Sequence, residues 1–404
     1  MEDFMNTQHD RFMYSLEQLA EQVLAGHLLL EQALERVAQP PIISQENNTT
    51  IYKRDKAIQE LPRQEFERAW VLAMLNSKVA QSLPDDIVWG NCNSTLGWAY
   101  LQREEPWSAR YHYEEALNVF EPFKETETGV KATMARIQNE LGQTWEMQAE
   151  LEPAQRPANL AKASTAYQAA LGLAEEAARL DYQSDALNGQ GRVYLAQEQA
   201  DKALKAFEQA RQLSQSAGDQ RGEGAALGNL GQASHFLGRR WEAVRYYQAA
   251  LQFGRAAGHE LGVGRYLSGL GSALLQLGLL DETEDRPSVE TCFVEALGIA
   301  RRLGDRRGEQ QRWGGLGNLY QVRAEREQAA ARRIIWLERA YAMHAAALAS
   351  AKERGDFRGE GEQLVNLGRI FTALKQFDDA AHAYAQASAK LEGMAIPDTQ
   401  WRLA

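Results

Sequence analysis

The chain has few of the residues that build disulfides or membrane spans. Its 404 residues include only two cysteines, Cys92 and Cys292, which lie 200 positions apart. A disulfide is therefore not expected, and a reducing compartment, the cytoplasm, is favoured. No apolar run reaches about 18 residues, so no transmembrane helix is expected. The N-terminus begins Met1-Glu2-Asp3 and has no signal-peptide pattern.

Motifs of common catalytic and cofactor sites are also absent. The sequence has no H-E-x-x-H, no paired C-x-x-C and no G-x-x-x-x-G-K-[ST]. The seven histidines are dispersed at spacings that do not suit a metal site. Gly222-Glu223-Gly224 and Gly262-Val263-Gly264 follow no predicted strand, so we expect no dinucleotide loop there. We therefore predict no catalytic residue, no cofactor and no metal, and classify the chain as a non-enzyme.

The charge balance is acidic. The formal net charge of −11 argues against generic binding to nucleic acid or to an anionic membrane. We expect a protein partner instead.

The most prominent feature of the sequence is a glycine that recurs in the same sequence context. It recurs seven times, at Gly97, Gly142, Gly191, Gly231, Gly271, Gly317 and Gly368. The intervals are 45, 49, 40, 40, 46 and 51 residues, which indicates a tandem array rather than a single core.

A second half of the signature follows each glycine. Gly231 is followed after 12, 16 and 19 residues by Ala243, Tyr247 and Ala250, and the same spacing follows Gly97, Gly191 and Gly368. In the other three repeats, this second half of the signature begins 9, 6 or 11 residues later. The glycines and the side chains expected to pack on them are then Gly142 with Tyr167, Gly271 with Phe293 and Gly317 with His344. His344 thus replaces an aromatic, and we expect it to fill the core.

These residue types suit two antiparallel helices per repeat. Glycine inside a helix costs about 1 kcal/mol relative to alanine, so seven such glycines need a packing reason. Close approach of the second helix, with its alanines and aromatic ring, provides that reason. Glycine at the repeat ends predicts a left-handed C-cap, and the following aspartate predicts an N-cap, as in Gly218-Asp219, Gly304-Asp305 and Gly355-Asp356, with Gly258-His259 as the variant.

This signature resembles the tetratricopeptide repeat family, in a long form of about 40 residues that is similar to kinesin light chains, rapsyn-like scaffolds and bacterial regulators. The resemblance covers residues 86–392. It implies an all-α fold, a right-handed α-solenoid of about seven helix-turn-helix repeats with an N-terminal helical cap. It also implies a scaffold or adaptor that binds a partner's peptide or helix on the concave side, because the first helices line that side in the family.

The resemblance also implies which residues form the peptide-binding groove. They lie close to each glycine on the first helices and carry amide, imidazole or guanidinium groups: Asn139, Asn188, Arg192, Asn229, Gln232, His235, Arg265, Asn318 and Arg369. Amides pair with extended main chain, and arginine binds carboxylates, so a partner segment of acidic character is expected. The clamp of chaperone-tail-binding members is not reproduced in consecutive repeats. The alternatives are a solvated polar face without a partner, a sensor module that binds a small molecule, and an accessory subunit of an enzyme, protease or defence complex.

The two ends lie outside the array. Residues 1–85 are predicted as a helical region, with Phe12 and Leu16 on an apolar stripe, a linker over 39–56 and a helix over 63–83; this region is either a cap or a docking arm. Residues 393–404 form a tail with Trp401, which either folds back or leaves an apolar end for a partner or a second copy.

Insertions lengthen three repeats at 151–159, 281–287 and 324–335. They are either tolerated loops or one decorated edge, and the third is expected only to extend helices.

Overall fold

The computed structural model describes residues 16–38, 48–61, 65–83 and 85–392, and these fold almost wholly as α-helices. The chain divides into two compact units. Unit one comprises residues 1–150 and 157–190, and unit two comprises residues 151–156 and 191–404. Among the described residues, the only β-type pairing is an isolated bridge between Thr283 and Arg286. The all-α prediction is therefore confirmed.

The helices follow one another in antiparallel pairs. The first nine are α1 (16–24), α2 (Leu30–Val37), α3 (Asn48–Gln59), α4 (Phe66–Ala80), α5 (Asp86–Gln102), α6 (Pro106–Phe120), α7 (Val130–Leu151), α8 (Arg156–Glu176) and α9 (Leu180–Ala196). The last nine are α10 (Ala200–Ala217), α11 (Gln220–Phe236), α12 (Arg240–Ala256), α13 (Glu260–Gln276), α14 (Val289–Arg302), α15 (Arg306–Arg326), α16 (Ala330–Arg354), α17 (Phe357–Ala373) and α18 (Phe377–Glu392). From Gly191 onward, α9 belongs to unit two.

All seven signature glycines face the side chain that the sequence pairs with them. A Cβ atom added to Gly231 would lie 2.9 Å from the ring of Tyr247, and one added to Gly97 would lie 2.8 Å from the ring of Tyr113. The imidazole of His344 meets Gly317 in the same way. The two helices of a repeat therefore approach more closely than any residue with a side chain would allow.

The repeat ends have the expected left-handed glycines, and two of them also have the expected aspartate N-cap. Gly218, Gly258, Gly304 and Gly355 all have φ between 63° and 68°, the left-handed conformation that glycine adopts without steric cost. The Oδ1 atom of Asp305 accepts a hydrogen bond of 2.9 Å from the backbone N–H of Gly308. Asp356 caps α17 in the same way, whereas Asp219 and His259 make no side-chain capping bond, so the N-cap prediction is confirmed for α15 and α17 and is wrong for α11.

The insertions are absorbed in different ways. Helices α15 and α16 lengthen to 21 and 25 residues around the third insertion, which confirms that it extends helices. At the first insertion only a 3₁₀ turn, Pro153–Gln155, separates α7 from α8. The second insertion stays a loop, in which Arg286 donates hydrogen bonds to the carbonyl groups of Leu279 and Asp281.

The N-terminal helices share one hydrophobic core with the first repeat. Leu16 of α1, Ala33 of α2 and Ile51 of α3 belong to the same buried cluster as Leu75 of α4 and Leu96 of α5. These helices therefore cover one face of α5, and the choice between a cap and a docking arm stays a prediction.

One sequence prediction in this region is wrong. Residues 48–56 belong to α3 rather than to a linker. Arg54 and Asp55 make α3 polar, yet both are buried among polar partners from α4 and α5. A tertiary network that the local sequence does not reveal therefore holds this helix.

Several predictions fall outside the described residues: the stripe member Phe12, the linker over 39–47, and the tail over 393–404 with Trp401. Of the described helices, none is long and apolar enough to cross a membrane.

Candidate functional site

The first helices of unit two present a row of polar side chains. Residues three or four positions apart lie on one side of a helix. Positions six and three before each signature glycine, and one and four after it, therefore share a side. We name this surface the first-helix face; it is formed by α9 from Gly191 onward, α11, α13, α15 and α17.

Seven of the nine predicted groove residues lie on or beside this face. Gln232, Arg265, Asn318 and Arg369 are exposed, and Arg192, Asn229 and His235 are half-buried. Guanidinium and amide groups thus alternate along one surface of unit two, where they can donate hydrogen bonds to a bound chain.

His235 is the imidazole of this row. Burial lowers its pKa, and the charge of Arg240 lowers it further, so His235 is neutral at physiological pH. Its Nδ1 atom has no hydrogen-bond partner. A neutral imidazole on the first-helix face can accept or donate a single hydrogen bond.

Two predicted groove residues are not displayed. Asn139 of α7 and Asn188 of α9 belong to unit one and are 4% and 3% exposed. The Nδ2 atom of Asn139 donates a hydrogen bond of 3.1 Å to the carbonyl group of Tyr182. Asn139 therefore joins α7 to α9, and the expectation that these two amides contact a peptide is corrected for this reason.

A second glycine position, which the sequence argument missed, explains the place of Asn229. Gly189, Gly269 and Gly315 each lie two residues before a signature glycine, and each faces the aromatic ring of the preceding repeat. The ring of Tyr247, for example, lies between Gly231 of its own repeat and Gly269 of the next. Asn229 occupies this same register position, so it lies at a repeat junction. The signal in the sequence is the second glycine, two residues before the first, in three repeats.

Arg312 on α15 is a further polar residue that the sequence argument missed. It lies five residues before Gly317, where α11 has Ala226 and α13 has Tyr266. Arg312 is 2% exposed, although guanidinium groups are rarely buried unless paired. No earlier repeat has a charged residue at this position, and the last repeat has Gln363 there, so the arginine could have marked it.

Cys92, Cys292 and His344 are all buried. No group of three or more histidine, cysteine or acidic side chains in the described part of the chain could hold a metal ion. Both cysteines are buried and neither forms a disulfide, and burial, together with Glu295, raises the pKa of the Cys292 thiol to about 12. Its thiolate is therefore not available at neutral pH. His344 is fully buried, and its Nδ1 atom lies 2.8 Å from Oε1 of Gln363, which confirms it as a core residue.

Comparison with known proteins agrees with this architecture. A family model described as tetratricopeptide repeat matches residues 182–256, which cover most of α9 and all of α10 to α12. No curated protein matches the chain. The tetratricopeptide-repeat prediction is thereby confirmed for this stretch of the chain.

Several solved structures have the same fold. A Rap protein in complex with Competence and Sporulation Factor is 12% identical, covers 98% of this chain and 99% of its own, and has a TM-score of 0.59. The Rap conjugation gene regulator of plasmid pLS20, in complex with the Phr* peptide, is 12% identical over 97% and 95%, with a TM-score of 0.56. A signal transduction ATPase with a tetratricopeptide repeat sensor, from Pyrococcus horikoshii, is 14% identical over 96% and 53%, also with a TM-score of 0.56. At these identities the likeness concerns the fold.

Proposed function

We propose that this chain is a non-catalytic scaffold or adaptor that binds a segment of a partner protein on the first-helix face of unit two. The observation that carries the proposal is the exposed row of Gln232, Arg265, Asn318 and Arg369 on four successive first helices. Repetition places donors at regular steps, as an extended or helical segment requires.

The chemistry of the row favours a peptide of acidic character. Amide groups pair with the main chain of a bound segment without reading its side chains. Arg265 and Arg369 add guanidinium groups, which bind carboxylates in a bidentate manner. The chain carries a net charge of −11, so a positive row on one face would select the orientation of such a partner.

The similar structures support binding of a peptide by this fold. The Rap regulator of plasmid pLS20 was solved with the Phr* peptide, and its repeats superpose over nearly the whole of both chains. We extend peptide binding to this chain on that basis. We also propose a cytoplasmic location, since neither cysteine forms a disulfide.

A second candidate is a sensor module for a small molecule. The likeness to the sensor-bearing ATPase of Pyrococcus horikoshii favours it. It predicts that a metabolite, rather than a protein, raises the melting temperature of the purified chain.

A pull-down from the source lysate with three versions of the protein tests the scaffold. One variant changes the first-helix face (Gln232→Ala, Asn318→Ala and Arg369→Gln). The matched control makes the same change of charge and amides at exposed positions of α10 (Lys205→Gln, Gln209→Ala and Gln212→Ala). We expect both variants to have the same melting temperature as the wild type, because all six side chains are exposed.

A protein that is captured by the wild type and the control but lost with the first-helix variant supports the proposal. Equal capture by all three versions would contradict it. If no protein is captured and a metabolite raises the melting temperature, the sensor is favoured instead.

A further inference from the structure

Three large apolar side chains are exposed together at one helix hairpin of unit two. Phe236 is the last residue of α11, Leu237 follows it, and Trp241 lies in the first turn of α12. All three are exposed, and Trp241 is 60% exposed. Large apolar side chains that group on a surface in this way are typical of a contact with another molecule.

The repeat fold does not require this apolar cluster. Its members lie 5, 6 and 10 residues after Gly231, and the matching positions after Gly191 hold Ala196, Gln197 and Asp201. An aspartate therefore suffices in α10 where α12 has Trp241. The cluster is thus a property of this one hairpin, and packing within the array does not explain it.

The turn that carries the cluster is positively charged. Arg239, Arg240 and Arg245 are exposed there. Glu242 lies 3.8 Å from Arg239, and Nε of Arg240 donates a hydrogen bond of 2.9 Å to the neutral side chain of Gln276. One glutamate thus faces three guanidinium groups, and the turn keeps a positive charge.

The next turn on this edge of unit two is negatively charged. The second insertion, between α13 and α14, has four exposed carboxylates: Asp281, Glu282, Glu284 and Asp285. No ion pair within 4 Å joins any of them to a residue in the described ranges. Arg286 lies in the same loop, but its guanidinium donates to backbone carbonyl groups. The loop therefore keeps a negative charge.

One contact places this loop on the side of α12 that carries Trp241. Nε2 of Gln248 lies 3.4 Å from the carbonyl oxygen of Asp285. Gln248 and Trp241 are seven residues apart, or about two helical turns, so they lie on the same side of α12. Trp241 is thus at the boundary between the positive turn and the negative loop.

We propose that this surface binds a second copy of this chain. We name it the dimer patch; it consists of Phe236, Leu237, Arg239, Arg240, Trp241 and the loop 281–285. A two-fold axis near Trp241 sets the positive turn of each copy opposite the negative loop of the other, and the two Trp241 side chains pack at the centre. The patch contains both charge signs around an apolar centre, so it is its own complement.

Sedimentation equilibrium of the purified chain over a dilution series tests the apolar centre. We expect the mass to rise to twice the 45.2 kDa of one chain. Trp241→Ala should weaken this association at least about tenfold. The matched control is Trp107→Ala, because Trp107 is 46% exposed at the same position after its own signature glycine, in unit one. This control should associate as the wild type does.

Charge reversal tests how the two copies face each other. One variant reverses the turn (Arg239→Glu with Arg240→Glu), and the other reverses charge in the loop (Glu282→Lys with Glu284→Lys). Each variant alone should be monomeric, because attraction is lost in both halves of the interface. An equal mixture of the two should form a heterodimer, because both halves are then complementary again. All four side chains are exposed, so each variant should keep the wild-type circular dichroism spectrum.

Three outcomes would overturn the proposal. The first is a wild type with the mass of one chain at every concentration. The second is a dimer that Trp241→Ala forms as readily as Trp107→Ala. The third is a pair of charge variants that do not associate when they are mixed. Trp241 lies on α12, outside the first-helix face, so none of these outcomes affects the scaffold proposal.

Discussion

The core at the start of unit one and the core of unit two are built from different chemistry. In unit two, rings such as Tyr247 and Phe293 pack into gaps left by glycines of two neighbouring repeats. In unit one, α3 is joined to α4 and α5 through buried polar groups. Nη1 of Arg54 donates a hydrogen bond of 2.8 Å to Asn76, and the hydroxyl group of Thr95 donates one of 2.8 Å to Asp55.

The two cores therefore fix the packing of their helices in different ways, one through the shape of the side chains and the other through hydrogen bonds between polar groups. Glycine–aromatic packing repeats with the chain and depends on volume, so each repeat supports its neighbour in the same way. The polar network of unit one occurs once and depends on every member having a partner. Substitutions should therefore act through volume at the glycine–aromatic contacts and through hydrogen bonding around α3.

The largest effect is expected where volume is added in unit two. Gly231→Leu would drive a side chain into the ring of Tyr247, from which even a Cβ atom would lie only 2.9 Å away. We expect a loss of about 3 kcal/mol or more in the free energy of unfolding, measured by urea denaturation. The neighbouring Gln232 is exposed, so Gln232→Leu should lose under about 0.5 kcal/mol. Equal losses in both variants would show that the register is wrong.

Removal of one amide should be the next largest effect, in unit one. Asn76→Ala takes away the acceptor of Arg54 and leaves that buried guanidinium with fewer partners. We expect a loss of about 2 kcal/mol in the free energy of unfolding. Asn91 on α5 is half-buried and bonds only within its own helix, to Ile87, so Asn91→Ala is the matched control. If the two variants unfold alike, the network does not stabilise α3.

The same network should give unit one a distinctive pH dependence. Burial raises the pKa of Asp55 to about 7, although the hydrogen bond from Thr95 lowers it in part. The folded protein therefore holds this proton more tightly than the unfolded chain, whose aspartate pKa is about 3.9. The contribution of Asp55 to stability is greatest below pH 4 and falls as the pH rises to about 7.

Asp55→Asn should remove this dependence. The free energy of unfolding of the variant, relative to wild type, should rise by roughly 2–3 kcal/mol between pH 5 and pH 8. Taking the difference between two proteins cancels the buried histidines, whose lowered pKa values act in the opposite direction. A constant difference across this range would contradict the burial of a protonated carboxyl group.

The smallest changes in stability are expected on substitution of two glycines that have no steric neighbour. Gly218 in unit two has φ of 68°, whereas Gly172 lies inside α8 of unit one, and nothing lies within 4 Å of an added Cβ at either site. Gly218→Ala should therefore lose about 1 kcal/mol, through backbone strain alone. Gly172→Ala should gain about 0.5–1 kcal/mol, through helix propensity. Opposite signs in thermal unfolding would confirm that conformation, rather than space, selects Gly218.

The sequence predicts the repeated glycine–aromatic packing but not the polar contacts that occur once. The pairing of Gly317 with His344 was readable across an insertion of 11 residues, because the spacing of small residues around it is preserved. The helix over Asn48–Gln59 was not readable, since its stability comes from Asn76 and Thr95, which lie far along the chain. Arg312 was missed because it occurs in one repeat only, and Asn139 was misjudged because its partner is a backbone carbonyl group of another helix. Periodic packing is visible in one sequence, whereas a single tertiary contact is not.

The two-sided glycine packing has a consequence for synthesis on the ribosome. The second helix of a repeat emerges with its aromatic ring covered on one side only, and the other side is closed when the first helix of the next repeat follows. Tyr247 is 6% exposed once Gly269 covers it, whereas Tyr384 of α18, the last described helix, is 39% exposed. The packing of each repeat is thus completed only when the next repeat is synthesised. At any moment the growing chain therefore exposes one apolar surface, at the second helix of its newest repeat.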